Sequence, residues 1–469
     1  MKQISERVQL LNEKKANNDG KYVLYWMQMF KRTSYNHALN YAIRQANERK
    51  LPLVVYEGLK FYYPWASDRF HTFILEGVEE KRKAFEKLGI HYLFYLQQGK
   101  NSPKQTVARL AKDAALIVTD DFPCFIIPDH NAAIVKKANI PVYAVDSNGL
   151  IPLSKYEKEE FAARTIRPKI KKILPDYFVE FKEEKIAVKA PNLKVDCPET
   201  KVTDKNIVEL VAVCDIDHNV KPSCIYHGGT AHGRKRLKYF IEKILPGYDT
   251  SRNKPEIDGS SRLSSYLHFG FLSPLEIALA VRDADAPQAS KDAYLEELIV
   301  RRELSYNFTR FNEKYDSLAS LPDWVHKTMR EHDADKREIV YSLEKLENCE
   351  TYDELWNASQ REMNITGEIH NYVRMLWGKN VIAWTRSYEE AFAILEHLNN
   401  KYCLDGRNPN SYAGILWCFG KHDCPWMERQ VFGKIRYMTT GSTGKKFNSK
   451  KYIEWTKTLA ENQKLPPVA

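Results

Sequence analysis

No apolar run in this sequence is as long as a membrane-spanning helix requires, and its mean hydropathy is -0.52. With 20 glycines and 21 prolines in 469 residues, it has too few of either for a collagen-like or low-complexity chain. The eight cysteines are irregularly spaced and form no CxxC pair, which favours reduced, mostly buried thiols over a disulfide framework. Neither GxGxxG nor GxxxxGKS/T follows a β-like run, so a Rossmann dinucleotide site and a P-loop have no support. The opening stretch MKQISERVQLLNEKKANNDG is too charged for a secretory signal and reads as a short helix or loose leader, so the expected location is the cytoplasm.

What remains is an ordinary globular composition, 43% hydrophobic and 28% charged, long enough for two or three domains at roughly 150 residues each. The 71 Lys and Arg exceed the 61 Asp and Glu by 10, and residues 420–469 hold ten basic against four acidic side chains. That local excess fits either a surface for a polyanion, nucleic acid first, or a solvated lysine-rich tail.

Short β-branched or aromatic runs alternate with amphipathic stretches through the first 150 residues: YVLYWM, then helix-like 37–50; LPLVVYEGL, then helix-like 68–88; HYLFYLQ, then helix-like 103–115; ALIVTD; PVYAVD. This order predicts parallel βαβ units in an α/β domain with a doubly wound parallel sheet. We place that domain at 1–177, a connection of weaker periodicity at 178–253, and a mostly α-helical domain at 254–469.

Three stretches carry chemistry. Seven of the nine tryptophans lie beyond residue 300, and Trp377 and Trp384 stand seven residues, or two helical turns, apart. Such indoles can pass electrons stepwise, although spacing alone favours a packing role. In YLEELIVRRELSYNF, Glu297 and Arg301 fall at i and i+4 and are expected to pair, beside apolar Leu298, Ile299 and Val300 that imply partial burial around a ligand. In GKHDCPWMERQVFGKIRYM, Lys421, Arg429, Lys434 and Arg436 interleave with Trp426, Phe432 and Tyr437, as phosphate contacts with base stacking would require. His422, Asp423, Cys418 and Cys424 match no zinc spacing, and no metal is expected.

The last two stretches resemble signatures of the class II DNA photolyases, in the photolyase and cryptochrome superfamily. YLEELIVRRELSYNF resembles FxEExhhRRELxxNF, where h is Leu, Ile, Val or Met, and residues 420–439 resemble GxHDxxWxERxhFGKhRYMN. Each departs once, at Tyr294 and at Thr439. The resemblance implies a light-driven lyase that binds FAD in the helical domain. Such an enzyme splits cyclobutane pyrimidine dimers in DNA with an electron from the photoexcited, reduced cofactor.

By the same resemblance, Tyr248, Arg252 and the segment Ser260, Ser261, Arg262, Leu263, Ser264 hold FAD. Arg374 pairs with Asp405 beside the isoalloxazine, Arg407 of the same LDGR element joins them, and Asn399 faces flavin N5. Trp377, Trp356 and Trp384 form the electron path, with Trp377 innermost. Glu297, Met375, Trp417 and Arg436 form the lesion pocket, and Asn253, Lys421, Arg429 and Lys434 join the DNA footprint. Glu297 is implied to hydrogen-bond the thymine edge, as a carboxyl whose proton affinity burial would raise.

The stretch MQMFKR (Met27–Arg32) departs from the family's usual SRDQR or QASQR on the antenna side, where relatives hold a deazaflavin or nothing. A monomer is expected. Two rivals stay open: a cryptochrome-type photoreceptor without repair activity, and a nucleic-acid-binding protein with a structural flavin. The first leaves a lesion pocket without a use, and the second leaves the tryptophan chain unexplained.

Overall fold

The computed structural model describes residues 2–468. Six strands form one sheet: β1 (Val8–Leu10), β2 (Tyr22–Met27), β3 (Leu53–Leu59), β4 (His91–Leu96), β5 (Ala114–Asp120) and β6 (Val142–Val145). Their order is β1-β6-β5-β2-β3-β4, and only β1 runs antiparallel to its neighbour. The doubly wound parallel sheet is therefore present, with β1 added from within the leader. VQL is too short to show an alternation of polar and apolar residues, so nothing local marks it as a strand.

Strands β2, β3 and β5 are buried almost throughout, which is why their sequences are continuous apolar runs. One face, with Val23, Tyr25, Met27 and Val55, enters a core that continues into the helical half as far as Leu304 and Tyr412. The other face, with Tyr22, Leu24, Val54 and Tyr56, closes on Leu110 and Ile134. A separate core forms in the helical half around Trp356, Trp377, Leu395 and Leu416.

Several expected helices are broken. Residues 68–88 form two, Asp68–Leu75 and Val78–Leu88, divided at Gly77. Of 103–115, only Thr106–Leu110 is helical. Within the expected helical domain, residues 352–384 hold two helices, Glu354–Thr366 and Asn371–Ala383, because Gly367 takes a left-handed φ of 82° and ends the first. Within the expected connection, helices Ile207–Ala212 and Thr230–Tyr239 follow a stretch free of helix and strand.

Polar anchors join the two halves. Arg69 donates to the carbonyls of Met363 at 3.1 Å and Tyr402 at 2.7 Å, satisfying acceptors at the ends of two helices. Gly270 has a φ of 70°, and a Cβ there would lie 2.1 Å from the Met29 carbonyl, so only glycine permits this close approach. No helix among the described residues is long and apolar enough to cross a membrane.

Candidate functional site

The helix Asn371–Ala383, the helix Tyr388–Tyr402 and the turn after it bring Arg374, Asn399 and Asp405 together. Arg374 Nη1 donates to Asn399 Oδ1 and Nη2 to Asp405 Oδ1, both at 3.5 Å. Burial lowers the Arg374 guanidinium, but Asp405 first, then Cys403 and Glu368, more than reverse this and leave its pKa raised. It is therefore a fixed cation. His370 caps the same helix by accepting from Tyr372 N at 3.2 Å. Burial, then Arg262 and Arg374, hold its pKa down at about 3, so the ring is neutral.

Three polar side-chain nitrogens in this region, Arg252 Nε, His370 Nε2 and Asn400 Nδ2, are buried without a partner in the protein. With His370 Nδ1 accepting, Nε2 carries the hydrogen. All three are then donors, and a cofactor rich in phosphate and carbonyl acceptors suits them. The residues present fit a flavin dinucleotide in this respect.

Two expected cofactor residues have partners inside the protein. The Arg262 side chain is enclosed by Asp258 at 3.1 Å, Glu362 at 3.3 Å and Glu368 at 3.6 Å, and of its nitrogens only the buried Nη2 lacks a protein partner. Tyr452 donates to Glu362 at 2.7 Å, which ties the segment to the C-terminal helix Ser449–Asn462. Arg407 Nη1 donates to the Asn400 carbonyl, and the guanidinium stacks 3.6 Å from the centre of the Phe70 ring and lines a cavity between the two halves. Leu263 is in the core, while Ser260, Ser261 and Ser264 are half-buried.

The tryptophans form a continuous path. Trp377 and Trp356 stack with ring centres 6.5 Å apart and planes 9° from parallel, and Trp356 meets Trp384 at 5.7 Å. Trp384 caps the end of this helix, its N–H still donating to the Asn380 carbonyl at 3.0 Å, and Trp356 from the preceding helix bridges Trp377 and Trp384. Trp377 Nε1 donates to Gln360 at 2.8 Å and Trp356 Nε1 to the Trp377 carbonyl at 3.0 Å, which fixes both rings.

The Glu297 environment differs from expectation. Residues Glu296–Arg301 form a π-turn inside the helix, a feature frequent at functional sites. The widened turn takes Glu297 and Arg301 off a common face. Glu297 instead accepts from Tyr248 Oη at 2.7 Å and Arg252 Nη1 at 2.9 Å, while Arg301 lies 3.6 Å from Glu296 and over the Trp417 ring at 5.6 Å. The Glu297 side chain is 40% exposed, so the expected burial is absent. Leu298, Ile299 and Val300 are buried in the common core rather than around a ligand.

Met375 and Trp417 are half-buried on neighbouring helices, linked by the 3.9 Å contact of Cys418 Sγ with Met375 Sδ. Arg429, Lys434, Arg436 and Asn253 are exposed, with Arg436 4.9 Å from the Trp426 ring centre. Lys421 is not: it is 5% exposed, ion-paired with Glu159 at 2.5 Å and donating to Ser320 O at 2.6 Å. A salt bridge holds it inside the protein, away from any phosphate.

A cavity of about 450 Å³ opens between the sheet domain and the helical half, which supplies His268, Phe269 and Arg407, while the departing stretch supplies Gln28, Met29 and Lys31 to its wall. Trp26, Tyr56 and Phe122 are among its aromatic sides. Lys31, Lys60, Lys104, Lys137 and Arg407 line it, and no carboxylate does among the described residues. Lys60 Nζ lies 3.0 Å from His130 Nε2, whose pKa burial, then Lys60, lower to about 4.

Sequence reasoning missed Gln360, Asn400 and the Arg262 network. Gln360 and Asn400 stand among other polar residues and Arg262 in a non-helical segment, so each acquires meaning only from a partner far away in the chain.

Solved structures of the photolyase and cryptochrome superfamily share this fold. A class III photolyase from Agrobacterium tumefaciens matches with a TM-score of 0.70 at 16% identity, over 94% of this chain and 86% of that one. A cryptochrome from Synechocystis matches with a TM-score of 0.73 at 17% identity, over 95% and 91%. The DNA photolyase family model matches residues 23–189. Over 461 residues the chain is 38% identical to the deoxyribodipyrimidine photo-lyase of Methanothermobacter thermautotrophicus, covering 97% of this chain and 99% of the relative. It is likewise 38% identical to that of Arabidopsis thaliana, covering 93% and 89%. The chain belongs to the DNA photolyase family.

Proposed function

We infer that this enzyme repairs cyclobutane pyrimidine dimers in DNA with light, holding reduced FAD beside Arg374, Asn399 and Asp405. One observation supports this reading: the helix Asn371–Ala383 bears Arg374, Met375 and Trp377, so the proposed cofactor cation, lesion-pocket residue and innermost indole share one element. When bound, FAD supplies the photoexcited electron that opens the cyclobutane ring, with no net redox change. Arg374 compensates the charge of an anionic flavin, and Asn399 offers its amide. Tyr248, Arg252 and the segment Ser260–Ser264 hold the remainder of the cofactor.

Trp417 and Met375 present stacking and apolar surface to an extruded dimer, whose flipping costs only a few kcal/mol because a damaged step is poorly stacked. Glu297, oriented by Tyr248 and Arg252, accepts from the thymine edge. Arg429, Lys434, Arg436 and Asn253 meet the DNA backbone. Lys60, Lys104, Lys137, Arg407 and the aromatic walls of the cavity between the two halves suit a planar, anionic chromophore of the deazaflavin class, Lys31 being paired with Glu57 at 3.0 Å.

The lesion pocket is tested by two variants. Trp417→Ala should weaken binding of a dimer-containing oligonucleotide by roughly tenfold, the value of one lost stacking partner. Glu297→Ala should lower repair per absorbed photon in chemically reduced enzyme. Unchanged values for both would overturn this pocket.

A further inference from the structure

Trp384, the outer indole, is only 5% exposed, so it meets bulk water and soluble reductants poorly. Two tyrosines close over it. The rings of Tyr341 and Tyr352 both lie edge-on with centroids 5.5 Å from Trp384, at interplanar angles of 78° and 64°. The two tyrosines differ in access: Tyr341 is half-buried, whereas Tyr352 is 65% exposed. The Tyr341 hydroxyl accepts from Tyr352 N at 3.0 Å, and Tyr341 N donates to the Trp384 carbonyl at 3.0 Å, which ties the three rings into one unit. A groove of about 910 Å³ lined by Tyr352 and Trp384 opens beside them. Burial raises the Tyr352 phenol, and the Trp384 side chain hydrogen-bonded to it opposes that shift.

An exposed tyrosine is by itself an ordinary surface residue. Here it is the outermost ring of a four-ring series that begins at Trp377 and in which each ring touches the next. The carboxylate nearest to it in the chain, Asp353, is occupied by Leu355 N and Trp356 N at 3.0 Å and by Asn380 Nδ2 at 3.2 Å. The groove is open to water and also lined by Glu338 and Glu354, so the phenolic proton has an acceptor there.

We propose that Tyr352 is the surface terminus of the electron path, a redox relay between Trp384 and a soluble thiol. This rests on the electron path through Trp377, Trp356 and Trp384 inferred above. In the relay, the Trp384 radical cation takes one electron from Tyr352, whose phenolic proton leaves to water. A neutral tyrosyl radical remains. A thiol in the groove returns one hydrogen atom, restoring Tyr352 and leaving a thiyl radical that couples to a disulfide. Loss of the proton to water holds the charges apart, because return of the electron would then require a proton as well.

The test uses the full chain loaded with FAD, with ring-deuterated tyrosine incorporated, frozen under blue light without thiol and examined by electron paramagnetic resonance. The wild-type protein should show a tyrosyl radical whose spectrum narrows on deuteration. Tyr352→Phe should lose it and slow thiol-driven flavin photoreduction severalfold, while Tyr341→Phe keeps the signal. Tyr352→Trp should restore the rate with a tryptophanyl radical in place of the tyrosyl one. A tyrosyl signal that survives Tyr352→Phe, or an unchanged photoreduction rate, overturns the relay. Trp377→Phe separates the two levels: if it blocks photoreduction while Tyr352→Phe does not, only the relay fails. If Trp377→Phe has no effect, the tryptophan path itself is wrong.

Discussion

Glu303, in the RREL stretch, offers a sharp test of how the two halves are joined. Its Oε1 accepts from Ile151 N at 3.1 Å, and Oε2 is buried without a partner. Burial pushes its pKa up to about 7; the Ile151 N–H and then Arg302 oppose the shift, Asp146 adds to it, and Arg7 opposes it more weakly. The folded protein therefore holds this proton more tightly than the unfolded chain does. Stability is greatest below the unfolded value near 4.5, falls as pH rises from there, and is lowest above about 7. At 1.36 kcal/mol per pH unit, the whole decline is about 3 kcal/mol, an order-of-magnitude figure. Glu303→Gln keeps an acceptor for Ile151 N but cannot ionise. In urea unfolding followed by tryptophan fluorescence, it should match the wild type near pH 5 and exceed it by up to about 3 kcal/mol near pH 8. Parallel pH curves for the two proteins would refute a strained carboxylate at this junction.

Trp377→Phe should block photoreduction of oxidised flavin yet leave repair by chemically reduced enzyme intact, as measured by flavin absorbance and dimer loss; failure of both assays would assign Trp377 to packing. Arg436→Ala should lower the slope of log affinity for DNA against log salt by about one, since one phosphate contact disappears. Lys421→Met should leave that slope unchanged and lower the unfolding midpoint, because it removes the ion pair with Glu159 and a bond to Ser320 O.

The fold was legible where the chain is periodic. Strands β2, β3 and β5 are long apolar runs because both their faces are covered, and such runs stand out between amphipathic helices. Strand β1 was not, because three largely exposed residues that pair with β6 carry no period of their own. The helix breaks at Gly77 and Gly367 and the π-turn at Glu296–Arg301 depend on packing from distant segments. At the candidate site, the Arg374–Asp405 pair and the tryptophan order followed from family resemblance. Basic composition misled for Lys421, since charge in sequence does not say whether a carboxylate awaits it inside. The departure at Met27–Arg32 became interpretable only once Gln28, Met29 and Lys31 were found on a cavity wall.

The central claim, light-driven repair with a flavin held in the helical half, is tested most directly by one experiment. The purified protein's absorption spectrum is recorded, and the reduced protein is then illuminated with blue light beside a dimer-containing oligonucleotide, with a dark control. A flavin spectrum with dimers lost only in the light is the predicted result. Flavin that photoreduces while the dimers persist would contradict repair and favour a photoreceptor.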